Sequence, residues 1–159
     1  MNLIKVLGIG SPFGDDQVGW LVADRLKTEL SKEHYASKTL SIECHDRPGL
    51  RLLELMNPAK VVFLIDAVKS GCAPGTIHRL KNNEIFAFQN RLSTHEMGVA
   101  EALQIGQSLN DLPEHVILYG IEIDSIAFNA TLSKSVEKAV KTVVIQLKKE
   151  IEEALKLMA

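Results

Sequence analysis

The beginning of the chain combines an apolar strand, a glycine-rich turn and an acidic pair. Residues 3–9 are almost entirely apolar, with Lys5 as the only charge, and such a run is typical of a central strand covered on both faces. The turn that follows carries Asp15 and Asp16, and apolar residues at helical spacing then predict a helix over residues 16–31. A strand that enters a helix through a tight turn places side chains at the carboxyl end of a sheet, where open α/β folds bind ligands. The sequence therefore predicts an α/β fold with a site beside this turn.

The acidic pair disfavours a nucleotide site. A helix N-terminus that binds phosphate needs bare backbone N–H groups and positive charge, whereas this turn carries Asp15 and Asp16. Gly8 and Gly10 match part of a dinucleotide fingerprint, but Phe13 stands at the position of its third glycine. We therefore expect a cation or metal site here.

Strands and helices alternate along the rest of the chain, which indicates a parallel or mixed sheet covered on both faces. Further strands are predicted at about residues 39–44, 60–66, 76–80 and 116–121. The strand at 60–66 is expected to end at Asp66, and the one at 76–80 to be antiparallel at a sheet edge. Further helices are predicted from Asp46 or Pro48 to Asn57, from Ser93 to about Leu109, and over residues 133–156, while residues 82–90 are expected to be irregular.

The composition is that of an ordinary globular protein, with 46% apolar and 24% charged residues. A formal net charge of −2 supplies no argument for nucleic acid or an anionic membrane as partner. Cys44 and Cys72 are far apart in the sequence and fit a reducing compartment better than a disulfide scaffold. No signal peptide is recognised, and no window approaches the roughly 20 apolar residues of a membrane span. We expect one domain over residues 1–159, acting in the cytoplasm as a monomer.

Three residues are candidates for a metal site. Asp16 follows the first strand, Asp66 closes the most apolar strand, and His95 lies at a predicted helix start. If the strands are neighbours, these side chains converge at one edge of the sheet. Two carboxylates and an imidazole suit a divalent transition metal with open positions for substrate or water.

Each candidate also has a purely structural interpretation. Asp15 and Asp16 could simply cap a helix, since acids near a helix N-terminus contribute about 0.3–1 kcal/mol each. His95 could satisfy a local hydrogen bond within the sequence Ser93-Thr94-His95-Glu96, which has the form of a capping box. A rival metal cluster, Cys44-His45-Asp46, is disfavoured because adjacent residues on a strand point to opposite faces.

The motifs together resemble the hydrogenase maturation proteases, the endopeptidases that remove the C-terminal extension of the large subunit of nickel–iron hydrogenase. The resemblance runs through nearly the whole chain in the right order. It rests on Gly8-Ile9-Gly10-Ser11-Pro12-Phe13-Gly14-Asp15-Asp16-Gln17-Val18-Gly19, Ile65-Asp66-Ala67-Val68, Leu92-Ser93-Thr94-His95-Glu96-Met97-Gly98, Tyr119-Gly120-Ile121-Glu122 and Leu132-Ser133.

The resemblance implies a three-layer αβα sandwich around a twisted, mostly parallel (mixed) five-stranded sheet. It also implies that Asp16, Asp66 and His95 are the metal-binding and catalytic residues. Nickel would arrive in the hydrogenase large-subunit precursor, and another divalent metal could replace it in vitro. In the middle motif, residues 44–49, Asp46 is the acidic match. The glycines of the first motif would bring the backbone close to a peptide substrate.

The expected reaction is metal-assisted peptide hydrolysis, in which the metal polarises the carbonyl or a bound water, or a carboxylate acts as general base. Neither cysteine lies in a motif with a base, so nucleophilic catalysis is not expected. Two alternatives remain open from the residues. One is another hydrolase on a related scaffold, such as an aminopeptidase or a peptidyl-tRNA hydrolase, and the other is a non-enzymatic metal-binding module.

Overall fold

The sheet is five-stranded and mixed. A computed structural model describes residues 3–31, 39–89, 98–124 and 131–158. Its strands are β1 (Ile4–Gly10), β2 (Leu40–Asp46), β3 (Val61–Val68), β4 (Ile77–Lys81) and β5 (His115–Glu122), in the spatial order β2-β1-β3-β5-β4. The first four strands in that order run parallel, and β4 pairs antiparallel with β5 at the edge of the sheet. The predicted edge position and direction of the fourth strand are therefore confirmed.

Helices cover both faces of this sheet. They are α1 (Val18–Ser31), α2 (Leu52–Met56), α3 (Asn83–Gln89), α4 (Gly98–Ser108) and α5 (Lys134–Met158). The apolar sides of α1 and α5 pack on one face, and those of α2, α3 and α4 pack on the other. The predicted three-layer αβα sandwich with a mostly parallel five-stranded sheet is confirmed. Among the described residues, none of the helices is long and apolar enough to cross a membrane.

The side chains of β3 alternate between the two apolar cores. Val61, Phe63 and Ile65 belong to the core under α1 and α5, whereas Val62 and Leu64 belong to the core under α2 and α4. All five are buried, because a central parallel strand has no solvent-facing side. This double burial explains the unbroken apolar run in the sequence.

Two predicted boundaries are wrong, and one predicted feature is not tested. β3 does not end at Asp66 but continues to Val68, because Ala67 and Val68 still pair with β5. Asp46 is the last residue of β2 rather than the start of a helix, and the next helical segment begins with a 3-10 turn at Gly49–Arg51. The predicted capping box at residues 93–96 lies outside the described residues.

Residues 83–89 form α3 rather than the irregular segment that was predicted. The backbone N–H of Lys81 donates to the Glu84 carboxylate at 2.9 Å, which closes the turn that leads into the helix. Ile85 and Phe88 are both buried, and their spacing of three residues places them on one helix face. The apolar run over residues 85–88 is short, and a run of this length does not by itself predict a helix.

Close contact between α1 and the sheet depends on glycine. A Cβ atom added to Gly19 would lie 2.2 Å from the carbonyl oxygen of Ile9 and 2.5 Å from that of Ile65. A Cβ added to Gly8 would lie 2.3 Å from the Gly19 carbonyl oxygen, and one added to Gly10 would lie 2.3 Å from the Asp16 carbonyl oxygen. These glycines therefore let the turn and helix lie directly on β1 and β3, while the expectation that they bring the backbone close to a peptide substrate stays a prediction.

Asp15 connects the first turn of the chain to the start of α5. Its two carboxylate oxygens accept hydrogen bonds from the backbone N–H of Ser133 at 2.9 Å and from the Ser133 hydroxyl at 3.0 Å. The carbonyl oxygen of Ser133 accepts from the backbone N–H of Glu137, so Ser133 is the cap of α5. Asp15 therefore holds the last helix against the turn that carries Asp16.

Replacing Gly19 should test the close contact. We expect Gly19→Ala to lower the free energy of unfolding by about 3 kcal/mol or more, because the methyl group must displace two backbone carbonyls. Denaturant unfolding measures this change. Gly98→Ala is the matched control, since an added Cβ there meets no described atom within 4 Å, and it should leave stability unchanged or slightly higher. Equal stability of the two variants would contradict the role given to Gly19.

Replacing Asp15 should test the connection to α5. We expect Asp15→Ala to lower the free energy of unfolding by about 1–2 kcal/mol, the usual range for a lost helix cap with its hydrogen bonds. Glu137→Ala, which removes an exposed acid from the first turn of the same helix, should cost only about 0.5 kcal/mol. If the two losses were equal, Asp15 would act only through the helix dipole and not through Ser133.

Candidate active site

A cavity of about 310 Å³ opens at the carboxyl ends of β1 and β3. This is the position at which open α/β sheets bind their ligands. The turn before α1, the segment after β2 and the first turn of α4 enclose it. Its lining residues are Ile9, Gly10, Asp16, Arg47, Pro48, Gly49, Leu52, Asp66, Gly98 and Val99.

Asp16 enters this cavity from a 3-10 helix at Gly14–Gln17. Its backbone N–H donates to the carbonyl oxygen of Phe13 at 2.9 Å, and its carbonyl oxygen accepts from the N–H of Ser11 at 3.2 Å. These two bonds fix the residue between β1 and α1. Only 7% of its surface is exposed.

Burial changes the pKa of the Asp16 carboxyl group. Loss of solvent raises the pKa of Asp16 above the ordinary aspartate value, and the nearby negative charge of Asp46 raises it further. A hydrogen bond from the Ser11 side chain and the positive charges of Arg47 and Lys69 act in the opposite direction. The neighbouring groups therefore compensate only in part for the loss of solvent around the Asp16 carboxylate.

Asp66 lies on the neighbouring parallel strand and lines the same cavity. One of its carboxylate oxygens accepts a hydrogen bond from the backbone N–H of Ala67 at 2.9 Å. Across the sheet it stands opposite Gly120 of β5. The predicted convergence of Asp16 and Asp66 is therefore found in the structure.

His95, the third predicted ligand, lies outside the described residues. Gly98 and Val99, at the start of α4, line the cavity. In the sequence His95 stands three residues before Gly98, and its part in the site stays a prediction.

Arg47 is a cavity residue that sequence reasoning did not single out. Its backbone N–H donates to the carbonyl oxygen of Gly10 at 3.2 Å, and its φ of 40° is in the left-handed region. Its guanidinium Nε donates to Asp46 at 2.9 Å. Asp46, the acid expected from the middle motif, is exposed and does not line the cavity, whereas Arg47 does. In the sequence, the segment Asp46-Arg47-Pro48-Gly49 as a turn indicates the cavity wall, whereas its acidic residue does not.

The rival cluster at Cys44-His45-Asp46 does not form. The thiol of Cys44 faces α1, 3.8 Å from the carbonyl oxygen of Trp20. The ring of His45 instead pairs with Glu43 at 2.9 Å, and Asp46 pairs with Arg47. Neighbouring strand residues diverge, as their alternation predicts.

Two converging carboxylates define the chemistry of the cavity. Carboxylate oxygens bind divalent cations, and an added imidazole shifts the preference toward transition metals. Asp16 and Asp66 supply the oxygen donors from adjacent strands, and the cavity leaves space for a substrate group. Such a site suits metal-assisted hydrolysis.

Comparison with known proteins gives a family assignment. A family profile described as "Hydrogenase maturation protease" matches residues 47–155. The hydrogenase expression/formation protein HupD of Thiocapsa roseopersicina is 31% identical over 121 residues, which are 75% of this chain and 53% of that protein. The chain therefore spans about half the length of this curated relative. The hydrogenase 2 maturation protease of Escherichia coli K12 is 27% identical over 158 residues, covering 96% of this chain and 94% of that protein.

A solved structure agrees with the sequence comparisons. The hydrogenase maturating endopeptidase HybD from E. coli superposes with a TM-score of 0.80 at 25% identity, covering 97% of this chain and 94% of that one. The profile match alone extends over more than half of the 159 residues. The chain belongs to the hydrogenase maturation protease family.

Proposed function

We propose that this protein is an endopeptidase that removes the C-terminal extension of the nickel–iron hydrogenase large-subunit precursor after nickel insertion. The observation that supports it most directly is the pairing of Asp16 and Asp66 in one cavity at the carboxyl ends of adjacent parallel strands. Family membership supplies the reaction class. The precursor is the protein partner, and no resident cofactor is needed, because the metal is part of the substrate.

In this proposal the nickel-bearing precursor docks with its metal at the cavity. Asp16, Asp66 and His95 contact the metal, which places the scissile peptide beside them. The raised pKa of Asp16 supports this role, because an approaching cation stabilises the carboxylate form that burial disfavours. The metal polarises the scissile carbonyl or a water molecule.

The protein's own groups have two further tasks in this scheme. A carboxylate that is not fully occupied by the metal can take the proton from the attacking water. Arg47, at the wall of the cavity, presents a fixed positive charge that can orient a carbonyl or carboxylate of the bound peptide. Asp15 stays with Ser133 and takes no part in the chemistry.

Dependence on nickel is the most direct test of the proposed substrate. We expect the purified protein to release the C-terminal extension from nickel-loaded precursor and to leave nickel-free precursor intact, as followed by mass spectrometry. Equal cleavage of both forms would contradict recognition through the metal. Cleavage of unrelated peptides after metal addition would instead favour an aminopeptidase-like hydrolase.

The proposed ligands can be tested by replacement. Loss of a group that only supports a metal ligand lowers metal affinity or activity by about 10- to 100-fold. Loss of a ligand should have a larger effect, so we expect Asp66→Asn and His95→Ala to lower the processing rate by at least about 100-fold. Asp111→Asn and His115→Ala are the matched controls, since neither residue lines the cavity, and they should process normally. Full activity of Asp66→Asn or His95→Ala would remove that residue from the site.

Asp16→Asn should separate stability from activity. Because the folded state holds the Asp16 proton more tightly than the unfolded chain does, its ionisation lowers stability as the pH rises from about 4. The amide removes this cost, so we expect Asp16→Asn to unfold at higher denaturant concentration at pH 7 and to process no precursor. Wild-type stability should also decline more than that of the variant between acidic and neutral pH. A less stable Asp16→Asn variant would contradict this account.

A further inference from the structure

A second group of metal-binding side chains lies at the β4–β5 edge of the sheet. It consists of Cys72 in the turn after β3, His78 on β4 and Glu122 at the end of β5. One potential ligand atom from each residue lies within 4.8 Å of the other two. His78 Nε2 and Glu122 Oε1 are 3.0 Å apart. None of the three lines the cavity of Asp16 and Asp66.

Glu122 is the buried centre of this group, with only 1% of its surface exposed. Its Oε2 accepts the backbone N–H of Ser70 at 2.7 Å, and its Oε1 accepts the Ser70 hydroxyl at 2.6 Å. The backbone carbonyl of Glu122 accepts from the N–H of Gly75 at 2.8 Å. A buried carboxylate is costly unless such partners or a cation compensate it. The turn over residues 70–75 therefore closes around a buried carboxyl group.

We propose that Cys72, His78 and Glu122 form a second metal site, which binds one zinc ion and clamps the turn over residues 70–75 to the edge of the sheet. Thiolate, imidazole and carboxylate are the three ligand types of protein zinc sites. Tetrahedral coordination at the usual bond lengths separates ligand atoms by about 3.3–3.6 Å. His78 Nε2 and Glu122 Oε1 are 3.0 Å apart, slightly closer than this, and none of the three ligand atoms is more than 4.8 Å from another. A water molecule would complete the coordination.

Zinc binding needs only small rearrangements here. The thiol proton of Cys72 leaves to solvent, and His78 binds through Nε2 with its proton on Nδ1. Glu122 turns Oε1 from His78 to the metal, while Oε2 keeps the hydrogen bond from Ser70 N–H. The Ser70 hydroxyl, 3.5 Å from the Cys72 sulfur, can then support the thiolate. Such outer hydrogen bonds orient metal ligands.

Cys72 is what distinguishes this site from a plain His–Glu pair. A simple ion pair would involve only His78 and Glu122. Here the Cys72 sulfur also lies within 4.8 Å of a ligand atom of each of these residues. A thiolate ligand also selects against Mg²⁺ and Ca²⁺, which prefer oxygen. The site differs in this respect from the cavity, where the described donors are carboxylates. The clamped turn follows directly on Lys69, whose charge acts on Asp16.

Cobalt is the probe that separates the two sites, because a thiolate-to-cobalt charge-transfer band can arise only at a cysteine ligand. The sequence contains two cysteines, Cys44 and Cys72. The experiment titrates Co²⁺ into reduced, metal-stripped Asp16→Asn/Asp66→Asn protein, in which the cavity has lost its carboxylates. We expect the band to saturate at one equivalent, to vanish on addition of Zn²⁺, and to be unaffected by Mg²⁺. Absence of the band would overturn the proposal.

Single replacements then assign the ligands. Cys72→Ser should abolish the band and His78→Gln should weaken cobalt binding at least about 10-fold, whereas Cys44→Ser should retain both band and affinity. A band that survives Cys72→Ser, or that is lost in Cys44→Ser, would overturn the assignment. In the protein without substitutions, Zn²⁺ should slow alkylation of Cys72 at least about 10-fold and leave that of Cys44 unchanged. Equal alkylation rates with and without Zn²⁺ would also overturn it.

Discussion

Direct contact between the first turn of α1 and the central strands is the constraint on which the rest of the structure depends. Gly19 lies against the carbonyl oxygens of both Ile9 and Ile65, at a distance that no side chain would permit. Because the helix cannot move away from the sheet without losing this contact, the turn before it is fixed as well. Asp16 therefore reaches the ends of β1 and β3 from a rigid support, which the proposed binding of a metal-bearing substrate would require.

The electrostatics of the cavity follow from this geometry. Asp16 is held in a place where burial disfavours its charge, and Ser11, Arg47 and Lys69 compensate only in part. The carboxylate form of Asp16 is therefore incompletely stabilised. A bound cation would stabilise it, because its positive charge replaces the favourable interaction with water that burial removes. A fold can tolerate such a deficit at one position because the two apolar cores contribute most of its stability. Under the proposed function, stability and activity therefore make opposite demands on the Asp16 carboxylate.

Much of the fold could be predicted because its signals are local. Apolar runs identified the central strands, and their order along the chain brought Asp16 and Asp66 to one edge of the sheet. The missed features depend on contacts between distant residues. Asp66 lies inside β3 because β5 continues to pair beyond it, and Arg47 reaches the cavity through a backbone bond to Gly10. Cys72, His78 and Glu122 meet through the β4–β5 register and through the hydrogen bonds of Ser70 and Gly75 to Glu122, which no spacing in the sequence reveals.

The hydrogen bonds between Asp15 and Ser133 join residues that are 118 positions apart in the chain. During synthesis the N-terminal turn leaves the ribosome long before its partner does, and closing so long a loop is slow. Strands β1 to β5 can pair while the turn with Asp16 still lacks the support of α5. The contact of α1 with the sheet can then hold the turn with Asp16 first, and the hydrogen bonds to Ser133 are the last of its supports to form.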